Sequence, residues 1–272
     1  MKLPEVSGFF RALAHEIATP VAYTLVTDEA RLPLNAYLGR RMVITFTGEK
    51  ACIHCGRRVK KLYHQGYCYP CFTTLAECDL CIVKPHTCHH ARGTCRDEAF
   101  AAAHCMTPHY VYLAWSSAVK VGLTRKGRER QRWIDQGATR AVLCAELPTR
   151  KAAGELEMEI ARFLPDRTDW RKMLSEAAEP DDLVRIKAQL ASKLQGSSRF
   201  RGYWIHEDNT VHQFVYPRLQ GASVNLDALS LDKSPHIDSV LLGIKGQYLL
   251  LAHGVFHVQR HQGYRVRVAF GD

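Results

Sequence analysis

Four cysteines come in two matched pairs. Cys52-Ile-His-Cys55 is followed, after twelve residues, by Cys68-Tyr-Pro-Cys71. Two CxxC pairs on tight turns can set four thiolates tetrahedrally around one zinc ion. Such a site is structural, because four protein ligands leave no open position for a substrate. Gly56 directly after the first pair relieves the backbone of the turn. Arg57, Arg58, Lys60 and Lys61 lie between the pairs. They would offset the double negative charge of a four-thiolate zinc centre, and could reach a phosphate. Chance clustering of packed cysteines is the weaker reading.

A second group follows: Cys78, Cys81, Cys88 and Cys95, with Cys105 and His86, His89, His90 and His104 close by. Zinc is again the expected metal, and an iron–sulfur cluster the weaker alternative, because thiolates serve both. Spacing does not fix this ligand set. The expectation is Cys78, Cys81, Cys88 and Cys95, with a histidine able to replace any one. Cys144 sits in an apolar run and reads as a core residue. Nine of the ten cysteines lie between Cys52 and Cys105, and such clustering points to metal in a reducing compartment rather than to disulfides.

These side chains need elements to hold them. The stretch from Ala51 to Cys105 is rich in turn residues and poor in aliphatics, so metal is the expected staple. Before it, VAYTLVTDE, RLPLNAYLG and RMVITFTG read as short strands. After it, YVYLAWS and AVKVGLT read as a hairpin joined at Ser116–Ser117. A basic helix over Arg128–Gln136, a strand AVLCAELP and a helix from Thr149 through Phe163 follow. The last of these shows Ala152, Ala153, Leu156, Ile160 and Phe163 on one face. Residues 181–194 read as a further helix, entered by Pro180. GYWIHED, HQFVYPR, SVLLGIKG, QYLLLAHG, VFHVQRHQ and YRVRVAF read as strands. LNAYLGRRMVITFTG and VLLGIKGQYLLLAHG are similar in texture, which suggests that both ends join one sheet or barrel.

The chain has 272 residues, 46% of them hydrophobic and 24% charged, the balance of an ordinary globular protein. No apolar run is long enough to span a bilayer. The start, MKLPEVSGFFRALAHEI, lacks the pattern of a signal peptide, so a cytoplasmic protein with no membrane partner is expected. The formal net charge of +10 fits a polyanionic partner, nucleic acid first, as well as a merely soluble basic surface.

Tyr110-Val-Tyr112-Leu113, followed by Lys120-Val121-Gly122, resembles the two-strand signature of the GIY-YIG nuclease superfamily. Arg132-Trp133 matches its next element, and Glu157 its later helical glutamate. More closely, the chain resembles the bacterial domain-of-unknown-function family 2797. CIHCGRRVKK, GYCYPCF, GTCRDE, HYVYL, KVGLTR, RWIDQGA, DRTDWRKML and GIKGQYLLL carry that likeness over residues 22–268. The expected fold class is therefore α+β: a GIY-YIG-like αβ core, an inserted or preceding zinc-ribbon segment, and flanking β-rich parts. The expected segments are residues 1–50 (β-rich), 51–107 (zinc-binding), 108–200 (GIY-YIG-like) and 201–272 (β-rich).

The superfamily resemblance implies a divalent-metal-dependent DNA endonuclease. It assigns catalytic roles to Tyr112, Lys120, Arg132 and Glu157, with Mg²⁺ or Mn²⁺ on the glutamate. Arg132 would contact phosphate in a bidentate manner, Tyr112 would position or deprotonate water, and Arg125, Lys126, Arg128, Arg130 and Gln136 would contact nucleic acid, DNA before RNA. Helical periodicity does not choose between Glu157 and Glu159; the resemblance chooses Glu157. Two positions depart from the superfamily: Lys120 replaces a tyrosine and Gln136 a common histidine. The alternatives are therefore a catalytically inactive nucleic-acid-binding protein and a zinc-stabilised protein-interaction scaffold. Taken singly, each candidate has a plainer reading. A strand tyrosine is usually packing, a run of arginines a solvated face, and DRTDWRKML, with Asp166, Arg167, Asp169 and Arg171, an ion-paired helix cap.

Overall fold

The computed structural model describes residues 5–164, 169–175, 182–194 and 199–271. Asp166, Arg167 and Pro180 lie outside the described residues. The fold is mixed α+β with two sheets. The strands of the first half are β1 (Glu5–Glu16), β2 (Ala22–Thr27), β3 (Arg31–Pro33), β4 (Arg41–Lys50), β5 (His109–Trp115), β6 (Val119–Arg125) and β7 (Arg140–Leu147). Those of the C-terminal part are β8 (His212–Gln213), β9 (Ala228–Leu229), β10 (His236–Lys245), β11 (Tyr248–Leu251), β12 (Gly254–His257) and β13 (Tyr264–Gly271). The helices are α1 (Tyr69–Thr74), α2 (Leu80–Val83), α3 (Glu98–His104), α4 (Glu129–Asp135), α5 (Arg150–Ala161), α6 (Trp170–Leu174) and α7 (Leu183–Lys193).

The chain forms two compact units, residues 1–73 with 215–272, and residues 74–214. The cysteine-rich stretch is divided between them. Cys52, Cys55, Cys68 and Cys71 belong to the first unit, and Cys78 through Cys105 to the second.

The first unit holds a nine-stranded sheet in the order β3-β2-β1-β13-β4-β10-β11-β12-β9. β13 shows why its residues make a strand. Tyr264, Val266, Val268 and Phe270 alternate inward while Arg265 and Arg267 do not, and each buried side chain contributes about 1.5–3 kcal/mol. β4 lies between β13 and β10, so the two ends of the chain share one sheet, as their similar texture suggests. Three expectations need correction. β1 is a twelve-residue strand where none was expected. It pairs with β13 over Glu5–Phe9 and with β2 over Phe10–Glu16, the latter with a register shift between Phe10 and Ala12. RLPLNAYLG is a strand only over β3. The Asn35 side chain then binds Tyr23 N and Val21 O, at 2.8 and 2.9 Å, and turns the chain into a 3-10 helix. VFHVQRHQ likewise ends as a 3-10 turn over Val258–His261.

The second unit holds the antiparallel sheet β6-β5-β7-β8. Val111, Leu113, Val119, Leu123 and Val142 pack with Ala153, Leu156 and Ile160 of α5 and with Leu183 and Leu190 of α7. Thr149 caps α5 by accepting from Ala152 N at 3.2 Å. Phe163, expected on the buried face of that helix, lies past its end and is 46% exposed. GYWIHED is not a strand. It makes a 3-10 turn and one bridge, Trp204 to Ala145, before Asp208 closes a turn on Thr210 N at 2.9 Å.

Candidate functional site

The thiols of Cys52, Cys55, Cys68 and Cys71 place one sulfur each within 4.8 Å of all the others. Cys55 and Cys68 Sγ are 3.7 Å apart, far longer than a disulfide, whose sulfurs are about 2 Å apart. A tetrahedron with zinc–sulfur bonds of about 2.3 Å has edges of about 3.8 Å, so this separation fits zinc. The local backbone builds the nest. Cys52 N bonds Arg57 O at 2.9 Å, Gly56 N bonds Cys52 O at 3.0 Å, and Gly56 takes φ +72°. Ile53 N bonds Gly66 O at 2.8 Å and ties the two knuckles together. Burial pushes the Cys52 thiol up, but the amides of Cys55, Cys68 and His54 outweigh it and bring it to about 6. Cys71 is pushed up by burial and by the neighbouring thiols. Four thiols this close shed one proton easily and hold the last, a conflict that a bound cation relieves. Of the nearby cations, Arg58 pairs with Glu49 and lies over the Phe9 ring, and Lys61 lies over the Tyr63 ring. Arg57 and Lys60 are exposed.

In the second unit Cys81, Cys88 and Cys95 line a cavity of ≈ 20 Å³, and the fourth cysteine in its wall is Cys105. Cys78 is buried but does not line that cavity. Asp79 and His89 also border it, and Asp79, Cys81 and His89 place one ligand atom each within 4.8 Å. The Asp79 carboxylate meets Arg96 Nε at 2.7 Å and caps α2 through Cys81 N at 3.3 Å. His89 Nδ1 meets Thr94 Oγ1 at 2.8 Å. His90 is taken up by Glu98 at 2.8 Å, and His104 lies on Phe100 O at 3.2 Å.

The four candidate catalytic residues come together in the second unit. Tyr112 on β5 lies directly opposite Gly122 on β6, and Ala114 opposite Lys120, so these four share one face of the sheet. Tyr112 is fully buried and meets Trp133 edge-on at 5.8 Å. α4 carries Arg132 and ends at Gln136. In the orientation that satisfies both neighbours, the Gln136 amide nitrogen donates to Tyr112 Oη at 2.9 Å. Its oxygen then accepts from Arg132 Nη2 and Nε at 3.0 and 3.1 Å. Gln136, one of the two positions that depart from the expected pattern, thus ties Arg132 to Tyr112.

Charge links the same group. Burial pushes the Glu157 carboxyl up, and Arg132 and Arg150 draw it back. Burial, then Arg132, lowers the Lys120 amine to about 8. Burial raises the Tyr112 phenol, opposed by Arg132. The exposed Arg132 guanidinium therefore acts on all three partners. Arg150, at the start of α5, was not singled out from sequence because a first-turn arginine usually lies on a solvated face. It is half-buried, with Nη2 on Ile82 O at 2.7 Å.

The basic run is less available than its sequence suggests. Arg125 donates to Ala103 O at 2.9 Å, and Lys126 pairs with Glu146 at 2.8 Å. Arg128 and Arg130 are exposed. Trp133 is wholly buried packing, and Asp169 caps α6 at Arg171 N, 2.9 Å away. No helix among the described residues is long and apolar enough to cross a membrane.

The family model described as protein of unknown function, DUF2797, matches residues 39–266, more than half of the chain, and the chain belongs to that family. No curated protein and no solved structure matches it.

Proposed function

We propose that this member of the family is a zinc-binding, GIY-YIG-like nucleic-acid-processing protein that acts as a divalent-metal-dependent DNA endonuclease. One observation carries the reading: Gln136 ties Arg132 to Tyr112, on the sheet face that Lys120 shares, with Glu157 within electrostatic reach of Arg132. Hydrolysis of a phosphodiester needs cations at the phosphate oxygens, a held water and relief of charge on the leaving oxygen. Arg132 can fork onto a phosphate, and Lys120 offers a second cation on the same side. Glu157 is the carboxylate that would hold Mg²⁺ or Mn²⁺. A single carboxylate suits such an ion, whose remaining positions go to water and substrate phosphate. When bound, the ion would neutralise charge on the scissile phosphate. Tyr112 has a narrower role than its sequence position implies. Sealed from solvent, it orients Arg132 through Gln136. The Cys52, Cys55, Cys68 and Cys71 centre takes zinc and serves as a structural staple in the first unit.

Purified protein with Mg²⁺ or Mn²⁺ is expected to cut at least one of single-stranded, duplex or branched DNA. Glu157→Ala should lower cleavage by about a hundredfold or more and leave DNA binding in place. Absence of cutting on all of these, and on RNA, would sink the reading. The catalytically inactive alternative is favoured by Lys120 and Gln136 standing where the superfamily carries a tyrosine and commonly a histidine. It expects binding that weakens steeply with salt, without cleavage.

A further inference from the structure

The cavity in the second unit gathers more than the spacing of its cysteines implies. Cys81 stands at α2, Cys88 after a 3-10 turn, Cys95 before α3 and Cys105 at the C-cap of α3. α2, the 3-10 turn and the two ends of α3 thus bring four thiols to one cavity. The carboxylate and imidazole beside them already have partners, Arg96 for Asp79 and Thr94 for His89. The thiols have few. Cys95 Sγ has a weak contact of 3.4 Å to Asp97 O.

The neighbour that gives this cluster meaning is Arg150. Its backbone N–H donates to Cys105 O at 2.8 Å, and its Nη2 to Ile82 O at 2.7 Å. Its Nε is buried with no hydrogen-bond partner. A guanidinium whose buried N–H is orphaned is costly unless negative charge lies close. Cys105, Cys81 and Glu157 lie within its electrostatic reach, and so does the cation Arg132. Neutral thiols compensate nothing, whereas four thiolates on a divalent ion carry a net charge of −2.

We propose that Cys81, Cys88, Cys95 and Cys105 hold a second zinc ion, and that this dianionic centre seats the half-buried Arg150 beside Glu157. Cys105 replaces Cys78 in the set suggested by spacing. On binding, the four S–H protons leave to solvent and four Zn–S bonds form, with no redox change. Zinc follows from the four soft donors and the closed coordination. The centre also fixes α5 from its first turn, because α2, the Pro85–Thr87 turn and α3 all converge there. Gly154 of α5 lies so close that a Cβ would stand 2.6 Å from Pro85 Cβ. The metal assignment holds whether or not the nuclease reading does. Only the value of placing Glu157 rests on it.

The test uses the full chain, expressed with zinc and weighed by native mass spectrometry. Two ions per chain are expected in the wild type, one in Cys105→Ser and two in Cys78→Ser. A wild type with one ion overturns the proposal, and so does loss of an ion in Cys78→Ser but not in Cys105→Ser. Cobalt substitution of the wild type answers the same question should Cys105→Ser not fold. Both cobalt ions should show equally strong thiolate charge-transfer bands. A much weaker second band, as an Asp79–Cys81–His89 set would give, overturns it. Arg150→Gln should keep both ions but release the second to a chelator about tenfold more readily, and Arg150→Lys should restore most of the difference. Unchanged release in Arg150→Gln would overturn the seating of Arg150.

Discussion

Gly122 lies directly across the β5–β6 ladder from Tyr112, and the tyrosine occupies the space that a side chain at 122 would need. A Cβ built on Gly122 would stand 2.6 Å from Tyr112 Oη and 2.7 Å from its Cζ. The glycine is required by close approach, since its backbone is ordinary extended strand. It lets a buried phenol reach Gln136, and through Gln136 the guanidinium of Arg132.

Gly122→Ala is therefore expected to push the Tyr112 ring out of its slot. Overpacking of this kind costs about 1–3 kcal/mol, to be read as a lower urea midpoint at unchanged slope. DNA cutting or binding that depends on Arg132 should fall further than stability does. A variant with wild-type stability and wild-type activity would show that the ring does not need the gap.

Lys120 makes the molecule sensitive to alkali. Its folded value of about 8 lies below the ordinary 10.5, so between these values the unfolded chain binds more protons than the folded one. Stability from this group rises as pH climbs from about 8 towards 10.5, because the folded state no longer carries a buried charge. Affinity for a polyanion should move the other way and weaken as pH passes about 8. Urea titrations and DNA-binding titrations across that window, on wild type and Lys120→Met, check both signs. Identical pH profiles for the two proteins would remove Lys120 from the account.

The first cysteine centre should report locally. Cys52→Ser/Cys55→Ser is expected to lose one zinc per chain and to open residues 51–73 to protease before the rest of the chain. Ala51 is held by a 2.8 Å bond from its N–H to Gly263 O, so β4 and β13 should resist longer. Full zinc content with an unchanged digestion pattern would show that these thiols hold no metal.

Much of this was legible in order along the chain. The CxxC pairs, the β5–β6 hairpin and α5 each depend on contacts within about twenty residues, and local spacing and periodicity encode such contacts. β1 escaped notice because it pairs in part with β13, more than 250 positions away, and carries no strict alternation of its own. The second ligand set is left open by spacing for the same reason. CxxC spacing draws the eye to Cys78, but which sulfur enters the cavity depends on how α2 and α3 pack.

The sequence by itself determined that four thiols from two knuckles could meet, and that a tyrosine, a lysine, an arginine and a glutamate occur in nuclease-like order. Only the tertiary structure decided that Arg132 stands among the other three, that Gln136 is the tie rather than a loss, and that Cys105 shares a wall with Cys81, Cys88 and Cys95. The physical reason is that burial and charge are properties of a neighbourhood. Arg150 looks like a solvated first-turn residue along the chain. Folding half-buries it within reach of two thiols and a carboxylate.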